Sequence, residues 1–405
     1  MSIDHSLAAP AVGAVVYPPN RPPESLLAGF AEALKARGFR VGGLLQHTTF
    51  GPDGRKDDMV LTELDTGRSL SIAQSLGRDS QACMLDSGAL AETSAALRRA
   101  VEGRVDVVFV NKFSKAERGG QGLAAEMLAA MSDGIPLILA VPGVLIEDWT
   151  EFTGGRADLL APTPEALWQW WGARRLYDDL ALGVPDDAVI RTVVGLNWTM
   201  VQGPNGIGLA QTPERGAPGC KGLVPPGGRT LRQLAALVGS WNPFEAALGL
   251  AACNAHYNRF DLEGERLNGL DAFGRLDGRM VVVGAFPALA ERLPDAAVID
   301  RRPGPGQYPE EAAEWLLPRA DAAIITASAL ANHSLPRLLS LARSSRVALV
   351  GPGAPLTARL FTYGIEASSG LVAEDADGLA RCVAEGGGAK DLKRHCRPVT
   401  LRRAP

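Results

Sequence analysis

Short apolar runs that alternate with helical patterns constrain this chain more than any other feature. Residues 11–17 (AVGAVVY), 39–45, 105–111 and 135–141 are β-rich. Residues 23–37 space Leu26, Leu27, Phe30, Ala33 and Leu34 along one helical face, and Gly38 stops that pattern. Helical patterns also cover residues 89–101 and 122–131. Such alternation predicts a parallel sheet covered by helices. A second series starts at Arg279, with apolar runs at 280–285, 297–299, 322–326 and 347–350, and its order predicts a doubly wound domain. Between the two series, residues 189–203 and 207–212 read as two strands meeting at a Pro204-Asn205-Gly206 turn. Helical stretches at 230–238 and 243–257 follow, which makes this part a small α+β unit.

At 405 residues the chain exceeds what one hydrophobic core fills, so several domains are expected. The reading places them at 1–160, 186–272 and 273–388, with a linker at 161–185 and a basic tail at 389–405. Pro162, Pro164, Trp168, Trp170 and Trp171 mark the linker, and its tryptophans are expected to pack between domains.

A formal net charge of −4 gives no general attraction to nucleic acid or anionic lipid. The start, MSIDHSLAAP, has no basic segment, and the most apolar stretch, 135–146, is short and broken by Pro136 and Pro142. Neither export nor membrane anchoring is expected. Cys83, Cys220, Cys253, Cys382 and Cys396 are odd in number and lack CxxC spacing, so free thiols and a cytoplasmic location are expected.

The segments GLNWTMVQGPNGIGLAQTPERGAPGC, SWNPFEAALGLAACNAHYNRFD, IITASALANHSLPRLLSLA and VALVGPGAPL resemble the bacterial family called "putative heavy-metal chelation", domain of unknown function 364, over roughly 181–388. The resemblance implies an α+β domain like the enolase N-terminal domain at 186–272, a Rossmann-like domain at 273–388, and a ligand cleft between them. Through GLLQ, CMLDSGAL and VNKFSKAE, residues 1–160 resemble domain of unknown function 2478, which is related to P-loop nucleotide-binding folds. Together these resemblances imply metal homeostasis, linked to molybdenum supply or nitrogen fixation.

A phosphate-binding P-loop needs glycines, a lysine and a hydroxyl where the helix begins. The loop PPNRPPES has only Ser25 of these, so this domain lacks the Walker A lysine and NTP is not expected as a cofactor. VNKFSKAE puts Asn111, Lys112, Lys115 and Glu117 beyond a buried strand, either as a ligand edge or as a solvated loop.

Gly203, Gly206 and Gly208 in QGPNGIG suit close approach of backbone to an anion or chelate, or simply a hairpin needing positive φ at Asn205 and Gly206. Asn197, Trp198, Gln211, Thr212, Glu214 and Arg215 flank that turn, and Arg215 suits a carboxylate or oxyanion. Thr326, Ser328, Asn332 and His333 follow a strand, where a Rossmann-like sheet places its cleft, although they also suit caps for a helix near Leu335. Phe286, Gly351 and Pro352 sit in neighbouring loops of the same rim or serve as plain turn residues.

Cys253 and His256, three apart on a helix, form at most half a metal site, His333 is a further weak candidate ligand, and His395-Cys396 is weaker still. Asn242, Asn254, Tyr257 and Asn258 read as capping and inter-domain hydrogen-bonding groups.

The leading expectation is a protein that binds a transition metal ion, an oxyanion such as molybdate, or a small metal chelate between the α+β and Rossmann-like domains. The alternative is an enzyme for a small anionic metabolite, with Arg215 and Glu214 in orienting or proton-transfer roles and His333 as a candidate acid or base, although no catalytic residue is assigned. A protein partner for 1–160 and a homo-oligomer both remain open.

Overall fold

The computed structural model describes residues 12–19, 21–50, 56–71, 87–172, 175–214, 216, 227–274 and 278–404. Arg215, Cys220, His5 and the CMLD segment at 83–86 lie outside them. The protein is mixed α/β with parallel-rich sheets, and it forms two compact units, Met1–Trp171 and Gly172–Pro405.

The first unit holds β1 (Val12–Tyr17), α1 (Glu24–Ala36), β2 (Val41–Phe50), β3 (Lys56–Glu63), β4 (Ser69–Ser71), α2 (Ser87–Glu102) and β5 (Val107–Lys112). It continues through α3 (Lys115–Arg118), α4 (Ala124–Ser132), β6 (Leu137–Pro142), α5 (Ile146–Thr153), β7 (Ala157–Leu160) and α6 (Pro164–Trp171). The strand order is β4-β3-β2-β5-β6-β1-β7. Strands β2, β5, β6, β1 and β7 run parallel, and the β2-β3-β4 ribbon is antiparallel. The apolar runs of β1, β5 and β6 are buried almost throughout, as strands covered on both faces require. Helix α1 turns Leu27, Phe30, Ala31 and Leu34 inward. At Gly43, φ is +102° and a Cβ would lie 2.0 Å from the Phe109 carbonyl oxygen, so only glycine lets β2 lie against β5.

The tryptophans correct the expected linker. Trp168 packs edge-on against Phe30 at 5.1 Å, and Trp171 against Phe39 at 5.1 Å, within the first unit. Pro164 opens α6 instead of breaking the chain, since the first helical position has no use for its missing N–H. Residues 161–171 therefore belong to the first unit, which ends at Trp171.

The second unit comprises α7 (Arg175–Leu182), β8 (Arg191–Val194), β9 (Trp198–Gln202), β10 (Ile207–Gln211), α8 (Leu231–Ala235), α9 (Pro243–Tyr257), β11 (Met280–Val283), α10 (Leu289–Arg292) and β12 (Ala297–Ile299). There follow α11 (Ala313–Leu316), β13 (Ala322–Thr326), α12 (Ser328–Ala331), α13 (Leu335–Leu341), β14 (Arg346–Val350), β15 (Ile365–Ala373), α14 (Ala376–Ala384), α15 (Ala389–Leu392) and β16 (Cys396–Arg402). Strands β8 to β10 make an antiparallel sheet of order β10-β9-β8, and the rest make a sheet of order β12-β11-β13-β14-β15-β16. All pairs in the larger sheet are parallel except β15 with β16.

Two further expectations change. Residues 189–203 form two strands, because the chain turns at residues 195–197, where a Cβ on Gly195 would meet the Val383 carbonyl oxygen. The expected basic tail is an edge strand. Cys396, Val399 and Thr400 of β16 are buried, and its arginines are held in place: Arg402 pairs with Glu265 at 2.8 Å, and the largely buried Arg397 donates to Leu262 O at 2.8 Å. Helix α9 is apolar on every side and almost wholly buried, as a central core helix must be. The Asn242 side chain caps it by accepting from Phe244 N.

Candidate functional site

The strand order of the larger sheet reverses between β11 and β13, and open α/β sheets bind ligands at the carboxyl edge of such a reversal. Three loops meet there. Gly284, after β11, has φ of +104° and would place a Cβ 2.8 Å from the Cβ of Thr326. Gly351, after β14, has φ of +141° and would place one 3.4 Å from the Cβ of Ala327. Glycine at both positions lets the loops close around the end of β13. There the Thr326 and Ser328 hydroxyls lie 3.0 Å apart. Phe286, half-buried, packs on the apolar cluster beneath this edge.

Asp300, which sequence reasoning missed, locks the rim. Its carboxylate accepts from Ala285 N at 2.9 Å and from Arg302 N at 2.8 Å. Glu214, outside β10, is exposed and pairs with Arg302 at 2.7 Å. Arg215 lies outside the described residues.

Buried carboxamides hold the Gly351–Pro355 loop. Asn254 donates to Leu209 O at 2.8 Å and Gly353 O at 2.9 Å. Asn258 donates to Ala354 O and Leu371 O, and its Oδ1 accepts from Leu356 N at 2.9 Å. The hydrogen-bonding role read from these residues is what the structure shows.

His333 has φ of +60°, uncommon for a residue with a Cβ and a form of strain that tends to collect at functional positions. Its ring stands edge-on to Tyr177 at 4.8 Å and to Trp241 at 5.1 Å. Nε2 donates to Val238 O at 2.9 Å, because a carbonyl oxygen only accepts. The Tyr177 hydroxyl donates to Leu330 O, and burial pushes the phenol up. Trp241 is 75% exposed beside the ring. Asn332 is a cap: its Oδ1 accepts from Ser334 N at 3.0 Å.

The glycines of QGPNGIG do different work. Neither Asn205 nor Gly206 adopts left-handed backbone, which overturns the expected hairpin conformation. A Cβ on Gly208 would fall 1.9 Å from Ala251 O, one on Gly206 2.7 Å from Ala255 O, and one on Gly203 3.2 Å from Leu231. Gly206 and Gly208 let the start of β10 press on α9, and Gly203 lies against Leu231 of α8. Val238, whose carbonyl holds His333, packs at Gly249, and Gly249 and Ala251 lie about 160° apart around the helix axis. Gly203, Gly206 and Gly208 thus lie across α9 from Val238 and do not line one pocket with His333.

Asn197, Trp198 and Thr212 are committed near α14. Asn197 donates to Gly386 O at 2.7 Å, Trp198 packs in the cluster of Leu379 and Val383, and Thr212 bonds to the Thr199 hydroxyl at 3.0 Å. Pro352 lies half-buried beside Gly351.

The weak metal candidates do not assemble. Cys253 is fully buried, burial pushes its thiol up, and its Sγ faces Ala235 O. Burial pushes His256 down, and its ring stacks edge-on with Tyr257. His395 bonds to Asp375 at 2.9 Å, while buried Cys396 is pushed up to about 12. Among the described residues, no three His, Cys, Asp or Glu side chains stand together as a metal-ligand set. No helix among them is long and apolar enough to cross a membrane.

Three family models match the chain. Residues 271–402 and 177–257 match two models that are both described as "Putative heavy-metal chelation", and residues 12–170 match "Protein of unknown function (DUF2478)". A crystal structure of a DUF364-family protein of unknown function from Desulfitobacterium hafniense DCB-2 is 31% identical with a TM-score of 0.51, covering 56% of this chain and 98% of that one. A DUF364-family structure from Pyrococcus horikoshii is 18% identical with a TM-score of 0.49, covering 57% of this chain and 98% of that one. Among curated proteins, Molybdenum import ATP-binding protein ModC 2 of Bradyrhizobium diazoefficiens is 39% identical over 160 residues, 40% of this chain. The match spans only 18% of that protein's length.

Proposed function

The chain belongs to the DUF364 family, described as "Putative heavy-metal chelation", and from that membership we propose that it binds a metal-containing anion, such as molybdate or a small metal chelate, at the β11–β13–β14 edge. The observation that carries this reading is the pair of hydroxyls on Thr326 and Ser328, set between loops that only Gly284 and Gly351 allow to approach. Hydroxyl donors suit an oxyanion or a metal that arrives already chelated, and the backbone N–H groups of Gly284, Ala285, Ala327 and Gly351 are already bonded within the fold. A bare transition-metal ion needs three or four nitrogen, sulfur or carboxylate ligands, and the described residues offer no such set. The likeness to a molybdenum import protein supports molybdenum as the element. On this reading residues 186–272 and 273–388 act as one α+β and Rossmann-like binding module, in the cytoplasm, within molybdenum supply or nitrogen fixation.

The test is purification from cells grown with mixed trace metals, with bound metals measured by mass spectrometry. We expect stoichiometric molybdenum or another metal in the wild type, and its loss in Thr326→Val with the fold unchanged. Metal-free protein in every preparation would overturn the reading.

A second reading, an enzyme for a small anionic metabolite, is favoured by the strained backbone of His333 and the place of its ring beside exposed Trp241. His333→Ala would abolish turnover while leaving metal content unchanged.

A further inference from the structure

The first unit contains a second candidate site, with chemistry unlike that of the first. A cavity of about 180 Å³ opens at the carboxyl ends of β1 and β5, beside the middle of β2 and near the end of β6, and its lining includes Tyr17, Glu24, Leu27, Gln46, Asn111 and Lys112. That carboxyl edge is where open α/β sheets receive ligands. Its volume is below the usual range for a drug-sized ligand, about 300–1,000 Å³, so the occupant must be small.

The polar groups are ordered by one another. Gln46, only 8% exposed, donates from Nε2 to Glu24 Oε1 at 3.1 Å. Asn111 donates from Nδ2 to Gln46 Oε1 at 2.9 Å, and its Oδ1 accepts from Gln46 N at 3.2 Å. Because an ionised carboxylate only accepts, this chain of bonds fixes how both amides face. Groups held in place beforehand lose little freedom when a ligand arrives.

The charges define the ligand. Where a P-loop protein would hold phosphate, at the start of α1, this chain has Pro22 and Pro23 followed by Glu24. Proline has no N–H to offer, and a carboxylate repels phosphate. Glu24 also helps hold the neighbouring Tyr17 phenol above its ordinary value, after burial. On the same lining stands Lys112, whose ammonium has no hydrogen-bond or ion-pair partner among the described residues.

We propose that this cleft binds a small zwitterion of the α-amino acid class, its ammonium on Glu24 and its carboxylate on Lys112. The amide hydrogens of Gln46 and Asn111 add donors for the carboxylate, and Leu27 and Ala140 give an apolar wall for a short side chain. The site is independent of the metal-anion edge in the second unit.

Isothermal titration and thermal melting of the full chain against the standard α-amino acids test this. At least one should bind, and its N-acetyl and carboxamide derivatives, each lacking one charge, should bind about tenfold or more weakly. Glu24→Gln and Lys112→Met should each weaken it about tenfold, Lys112→Arg should retain it, and Thr326→Val should leave it unchanged. No binding by any standard amino acid at about 10 mM, or equal binding of the blocked derivatives, overturns the proposal. Should Glu24→Gln fail to fold, the derivatives and the Lys112 pair decide alone.

Discussion

At the carboxyl edge of the first unit's sheet stand Glu24, Gln46, Asn111 and Lys112, with amides and carboxylate bonded to each other. At the matching edge of the second unit's larger sheet stand Thr326 and Ser328 between two glycine loops. Both folds deliver loops to the same kind of place, yet one edge carries an ammonium, unpaired among the described residues, beside a carboxylate, and the other presents hydroxyls while its Asp300 carboxylate is tied up by loop N–H groups. The way the edges are held differs too. In the first unit the lining residues brace one another, whereas in the second Asp300 ties two loop N–H groups and buried carboxamides, Asn254 on α9 and Asn258 just beyond its end, hold the 351–355 loop from behind. Fold alone therefore predicts where a ligand goes and not which one.

The largest effect should come from removing a buried charge that belongs to the second unit alone. Asp179 is fully buried, pairs with Arg359 and accepts from the Tyr363 hydroxyl at 3.0 Å. Asp179→Ala removes the buried carboxylate to which Arg359 and the Tyr363 hydroxyl bond and should cost about 3 kcal/mol. Hydrogen exchange should show protection lost throughout Gly172–Pro405 and kept in Met1–Trp171. Equal loss in both units would mean that the two edges share a foundation and that the comparison fails.

Next in size is Gly208→Val, where a side chain would run into Ala251 O of α9. Overpacking of this kind costs about 1–3 kcal/mol. Urea unfolding should show that loss, and metal content should fall only in proportion to the unfolded fraction. If the variant folds normally but loses metal, the glycine segment belongs to the site after all. Thr326→Val should do the reverse: stability within about 0.5 kcal/mol, and molybdate or chelate affinity down about tenfold.

These contrasts also show what sequence makes legible. The apolar runs of β1, β5, β6, β11, β13 and β14 announce themselves because strands buried on both faces need continuous hydrophobicity. Helix α9 reads to its ends through the Asn242-Pro243 start and its apolar length. Strand β15 escapes because its buried centre is Ser368, Ser369 and Gly370, polar or small residues satisfied only by partners such as Pro355 O and Thr400. The Asp300 lock, the amide anchors of the 351–355 loop and the packing glycines all depend on atoms far away in sequence. Residue type alone fits a ligand and a neighbouring backbone equally well. The sheet edge near Thr326 and Ser328 was legible from strand order, whereas the exclusion of Gly203, Gly206 and Gly208 was not.

The smallest effect concerns His256, which the sequence pairs with Cys253 and the fold assigns to packing. Burial comes first in pushing its pKa down, with Arg359 and Arg259 adding to that and Asp187 opposing. The folded state thus disfavours the imidazolium. Above the ordinary histidine value of about 6.5 the ring is neutral in both states and costs nothing. As pH falls below that value the unfolded chain takes up the proton more readily, so stability declines until the folded pKa is passed. Denaturant midpoints between about pH 7 and pH 5 should therefore fall in the wild type and fall less in His256→Gln. A metal held by His256 and Cys253 would add a second signature, because metal and proton compete for imidazole: chelator treatment at neutral pH would lower the midpoint of the wild type alone. An unchanged midpoint after chelation keeps the metal-anion site at the hydroxyl edge, and a chelator-sensitive one moves it to α9.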